Sequence, residues 1–216
     1  MNKNTKPKGI LYLRYIIPVV IALVVGLFFL IRSEPEKKIE REATKSIEAL
    51  KGEVKGGMPK EQVKRIEKSK LIGEEDSFLC YEKKINGLDT LLYFLFNHRN
   101  QLYLIKYAFM RKHINQNWYI YDFKRVDKIL RKKYGKPDVH KEIWRKDLYK
   151  NDKDNWGMAI AVGDLVYFTQ WKGETSIRHN LSGGNFKINH SLIYSNTKLE
   201  KECEEFKGKK KLEKEF

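Results

Sequence analysis

The feature that most constrains this chain is the apolar run YIIPVVIALVVGLFFLI at residues 15–31. A helix needs about 20 apolar residues, within a range of roughly 17–25, to cross a bilayer. The 17 residues here reach that length once ILYL at 10–13 is added. A helix packed in a water-soluble core would carry polar residues along one face, and this run carries none. Tyr12 and Tyr15 suit the interfacial belt of a membrane helix, and Arg14 has a stem long enough to reach the head groups. The following FFLIRSEPE lacks the small-x-small site of a cleaved signal peptide. Residues 10–32 therefore read as an uncleaved transmembrane signal anchor behind a basic tail at 1–9.

Lys3, Lys6, Lys8 and Arg14 precede the run with no acid among them, while Arg32, Lys37, Lys38, Arg41 and Lys45 follow it. The two flanks are equally basic, but long domains translocate largely regardless of charge, whereas a short basic tail stays inside. The expected topology is a single-pass cell-membrane protein with a cytoplasmic N-terminus and an extracytoplasmic domain from about residue 33.

Five of the 44 Lys and Arg residues and none of the 28 acids lie in residues 1–32, so the remainder carries a formal charge of +11. That excess points to an anionic neighbour in the cell envelope, such as lipid head groups, wall polymer or an acidic protein. The plainer reading is a lysine-rich solvated surface. An external location and the lack of a recognised motif speak against nucleic acid.

Beyond the anchor, Ile39, Ala43, Ile47, Leu50 and Val54 recur at spacings of three and four in a charged helical stalk over 33–55. The stripe either packs on the domain or forms a short seam that dimerises two anchors. Gly56 and Gly57 then break the helix, and Pro59 opens another carrying Val63, Ile66 and Lys70 or Leu71 on one face. Period-two patterning follows in SFLCYEKKI, DTLLYFLF and QLYLIKYAFM. YDFKRVDKILRKKYGKP restarts a helix, with Phe123, Val126, Leu130 and Tyr134 on one face and Lys124, Lys128, Arg131 and Lys132 on the other. Strands are expected again at HKEIWRK, GMAIAV, LVYFTQW, TSIRHNL and FKINHSLIYS, with SGGN as a turn. Residues 198–216 are charged and read as a frayed helix or disordered tail. The expected class is α+β: a transmembrane helix, then one domain at 56–197 made of two helix-plus-antiparallel-meander units at about 56–115 and 116–197.

GMPKEQVKRI followed by a meander resembles the opening of small outer-membrane-assembly lipoproteins of the SmpA/OmlA (BamE) type and of the beta-lactamase inhibitor proteins. The YGKP ending of the second helix extends the likeness over residues 56–195. The resemblance implies a non-enzymatic envelope protein that works by contact.

Catalytic signatures are missing. His98, His113, His140, His179 and His190 form no local metal motif, and neither a G-x-S-x-G nor a P-loop occurs. His179 and His190 are nearly symmetric about SGGN and either face one another or stand on the surface. Neither a cofactor nor a metal is expected. Cys80 and Cys203, the only two cysteines, are the candidates for a disulfide in an oxidising compartment. The candidate interaction surface comprises Lys124, Lys128, Arg131 and Lys132 with Trp118, Trp144 and Trp171, since Trp and Arg are favoured interface anchors. The function expected is binding or assembly at the envelope, with a membrane-tethered enzyme such as a cell-wall hydrolase as the alternative.

Overall fold

The computed structural model describes residues 54–85 and 87–215, with side chains to 208. The tail, the anchor and all but the last two residues of the stalk lie outside the described residues. Among the described residues no helix is long and apolar enough to cross a membrane.

The strands are β1 (Lys70–Glu75), β2 (Phe78–Ile85), β3 (Leu88–Phe96), β4 (Leu102–Phe109), β5 (Val139–Trp144), β6 (Leu165–Trp171), β7 (Thr175–Gly184) and β8 (Lys187–Asn196). The helices are α1 (Lys60–Ile66), α2 (Asn117–Tyr134), α3 (Trp156–Val162) and α4 (Thr197–Glu215). Among the described residues these eight strands join one antiparallel sheet in the order β1-β2-β3-β4-β8-β7-β6-β5. This corrects the expected pair of helix-plus-meander units. β4 pairs with β8 from Leu104↔Ser195 to Phe109↔His190, so the two strand sets share one sheet, and residues of both enter the same main hydrophobic cluster.

The physical reason lies in β3 and β4, which are apolar on nearly every residue. Such strands cannot present an edge to water, and β4 gains its second neighbour from β8. The edges fall instead on β1 and β5, whose side chains are mostly exposed and include Lys70, Glu74, Glu75, Lys141 and Glu142. Two elements differ from expectation within this frame. Lys70–Glu75 continues no helix: α1 stops at Ile66, and Glu67 accepts from the Ser69 backbone and hydroxyl while Lys83 pairs with it at 3.0 Å. GMAIAV, read as a strand, forms α3, because Gly163 at φ +89 closes the turn and donates to Ile160 O. Short apolar runs carry no periodicity that separates a buried helix from a buried strand.

One face of the sheet is the core. Leu92, Phe94 and Tyr107 from the first strands and Trp171, Ile177 and Leu192 from the last pack under Val63 of α1 and Val126 and Leu130 of α2. A second cluster joins Phe123 of α2 and Ile160 of α3 to Leu165, Tyr167 and Leu181. Burial of each such side chain contributes about 1.5–3 kcal/mol. On the opposite face α4, the segment read as a frayed helix or disordered tail, lies across the central strands β4 and β8. It is fixed by ion pairs of Arg178 with Glu200 and of Arg99 with Glu202, and by stacking of Phe206 on His98 at 3.9 Å.

Candidate functional site

Helix α2 is the platform on which the charged residues are arranged. Its start is fixed to α3: Asn117 donates from Nδ2 to the Asp154 carbonyl at 2.7 Å, and its Oδ1 accepts the Gly157 N–H at 2.6 Å. A Cβ on Gly157 would stand 2.3 Å from the Gln116 carbonyl carbon, so the close approach requires glycine. The other end stops at Gly135, φ +75, whose carbonyl accepts from the Trp171 indole at 3.0 Å.

The two acids of α2 both point inward. Asp122 is buried and meets His113 Nε2 at 2.7 Å and Arg125 at 3.6 Å. Asp127 is buried, accepts from Arg131 Nε at 2.6 Å, and lies 3.7 Å from His179 Nδ1. Burial pushes its carboxyl upward, but His179, Arg131 and Thr169 outweigh it and hold the group down at about 2. Of these partners Arg131 is the firmer, since 3.7 Å is too long for a hydrogen bond.

Behind Asp127 the two histidines face each other, Nε2 to Nε2 at 2.8 Å, with the Phe123 ring stacked on His179 at 4.0 Å. Only one of the two nitrogens can donate. If His179 donated, its lone pair at Nδ1 would confront the Asp127 carboxylate. The arrangement without that clash has His190 donating and His179 keeping its proton on Nδ1, toward Asp127. Burial pushes both histidines below their ordinary value, His190 further because His179, Arg125 and His113 add to the effect. Both are therefore neutral at pH 7.

Between α2 and edge strand β5 lies a cleft of about 290 Å³ lined by Lys124, Asp127, Lys128 and Arg131 on one wall and His140, Glu142 and Tyr167 on the other. His140 Nδ1 lies 3.0 Å from Thr169 Oγ1. The histidine pair that an acid–base mechanism would draw on does not reach this cleft. Phe123 covers His179, and the two rings are 0% and 5% exposed. Among the described residues no three His, Cys, Asp or Glu side chains converge as a metal would require.

Of the residues expected to form an interaction surface, Lys124, Lys128 and Arg131 come together at the cleft and Lys132 is exposed on the same side of α2. Trp118 is 52% exposed and meets Tyr121, itself 51% exposed, edge to face at 5.5 Å. Trp144 instead packs on Trp156 at 5.6 Å. Trp171, 5% exposed, belongs to the core and caps α2, so it is no surface anchor. Cys80 and Cys203 are free and buried, Cys80 beside Tyr93 and Cys203 beside Tyr103. Sequence reasoning overlooked Tyr121 and the inward Asp122 and Asp127. The i,i+4 spacing of Asp127 and Arg131 was the signal that could have found the latter. No protein family, curated protein or solved structure matches the chain.

Proposed function

We propose that the chain is a membrane-anchored protein, held by residues 10–32 with its domain outside the membrane, that binds an acidic component of the cell envelope by contact and without catalysis. One observation carries this reading: α2 hides both of its carboxylates. Trp118, Tyr121, Lys124, Lys128 and Lys132 are all exposed, and at 100° per residue they fall on one face. That outward face is aromatic at its start, basic along its length and free of acid. An aromatic anchor beside desolvatable cations suits a partner with negative charge and some apolar surface. The closed-off histidines favour contact over hydrolysis.

The test is co-sedimentation of the full chain with polyglutamate in rising salt. Reversal of three charges, Lys124→Glu, Lys128→Glu and Lys132→Glu, should weaken retention at least tenfold, and Trp118→Ala severalfold. Reversal at Lys70, Lys84 and Lys146, which are 73–77% exposed elsewhere, should leave most of it. Equal losses from the two sets would mean that net charge alone binds, and the reading would fail.

A further inference from the structure

A cavity of about 380 Å³ opens where Val54–Gly56 meet the sheet, beside Tyr134 at the C-terminal end of α2. Protein interiors leave few voids larger than a water molecule, and an apolar cavity of about 150 Å³ already takes a benzene ring. Space of this size in the midst of β4, β8 and β7 falls within the roughly 300–1,000 Å³ range of small-molecule sites.

The walls define the chemistry of what fits. Leu102, Leu104, Ile105 and Ile177 supply apolar surface, and Tyr103, Tyr107, Tyr134 and Tyr194 supply rings. Burial pushes the hydroxyls of Tyr107, Tyr134 and Tyr194 upward, so all three stay neutral. Their rings meet at 6.1 Å for Tyr107 with Tyr194 and 6.3 Å for Tyr134 with Tyr194, a continuous aromatic wall. Among the described residues of the lining Lys55 alone is charged, it is exposed at the rim, and no acid accompanies it there.

We infer that this cavity binds a single-chain amphiphile with an anionic head, a fatty carboxylate, with its tail against Ile105 and Ile177 and its head at Lys55. The sign of the head follows from Lys55, whose charge no carboxylate of the described lining offsets. A cationic head would meet repulsion there. A neutral tail of one chain suits the volume, whereas a two-chain lipid would overfill it. The site is distinct from the outward face of α2, so it stands whether or not that face binds an acidic partner.

The experiment measures melting of the full chain in nanodiscs with decanoate, decanol or decyltrimethylammonium added. A ligand that binds only the folded form raises the melting temperature in proportion to ln(1 + [L]/Kd). Decanoate should raise it, decanol less, and decyltrimethylammonium not at all. Ile105→Trp, which fills the cavity, should reduce the affinity for decanoate at least tenfold. Lys55→Glu is an exposed change that does not disturb the core, and it should abolish the preference for decanoate over decanol. No decanoate effect on the wild type, or an Ile105→Trp variant that folds and responds as the wild type does, overturns the site. A Lys55→Glu variant that keeps the preference overturns the head-group assignment.

Discussion

Asp127→Asn isolates the electrostatic work done beneath α2. The carboxyl of Asp127 titrates at about 2 in the folded chain against 3.8 when unperturbed. A displacement of one pH unit corresponds to about 1.4 kcal/mol, so the ionised form stabilises the fold by about 2 kcal/mol at neutral pH. The group is 6% exposed, so solvent screening removes little of this. Because the folded-state pKa is the lower one, the contribution is complete above 3.8 and disappears as pH falls through 2. Linkage leaves about half of it at pH 3. Asparagine keeps the shape and can still accept from Arg131, so the variant removes mainly the charge.

Urea denaturation of the purified chain, followed by tryptophan fluorescence, measures the difference. The expected penalty is about 2 kcal/mol at pH 7 and about half of that at pH 3. A penalty that is the same at both pH values would show that packing, not charge, is lost. A penalty below about 0.5 kcal/mol at pH 7, the usual worth of an exposed pair, would show that Asp127 behaves as a surface group.

Other outcomes follow from the same structure. His179 and His190 have folded-state pKa values below their unfolded value of 6.5, so the unfolded chain takes up protons first. Stability should be complete above pH 6.5 and fall below it by about 1.4 kcal/mol per pH unit for each histidine that remains neutral in the fold. A flat urea profile from pH 7 to 5 would contradict this. Gly183→Ala would put a Cβ 2.2 Å from the Ile160 carbonyl oxygen, and the overpacking should cost about 1–3 kcal/mol, read as a lower urea midpoint. An unchanged midpoint would mean that β7 and α3 do not approach so closely. Topology can be read with a membrane-impermeant thiol reagent, but not through Cys80 or Cys203, since both thiols are buried. Lys146→Cys, at a side chain 77% exposed, should be labelled in intact cells, after permeabilising any outer membrane. Labelling only after the inner membrane is lysed would place the domain in the cytoplasm.

How far the sequence revealed all this depends on whether a feature was local. The strands from Phe78 to Phe109 show alternation or turn signals within themselves, and α2 shows a 3.6-residue period ended by Gly135. The Lys124, Lys128 and Lys132 face could be placed for the same reason. The β4–β8 pairing could not, because it joins residues about 85 positions apart whose match is settled only when β4 must cover its edge. The hairpin turn was also displaced. SGGN suggested a turn on its glycines, yet Ser182, Gly183 and Gly184 stay in β7, and Asn185 and Phe186 turn at φ 50° and 61°. The reason is Gly183, whose backbone lies against Ile160 of α3, so its lack of a side chain serves packing and not turning. A similar tertiary cause hides the histidine pair. Symmetry about the hairpin brings His179 and His190 to the same face, and Phe123 of α2 together with Phe109 of β4 makes that face an interior. A polar strand residue reads as solvent-facing unless a helix covers it, and here each histidine finds its hydrogen-bond partner in the other, with the Asp127 carboxylate nearby at 3.7 Å. Burial under α2 keeps the histidine pair neutral against the opposing pull of the Asp127 carboxylate on His179, and the inward turn of Asp122 and Asp127 leaves an acid-free basic face above.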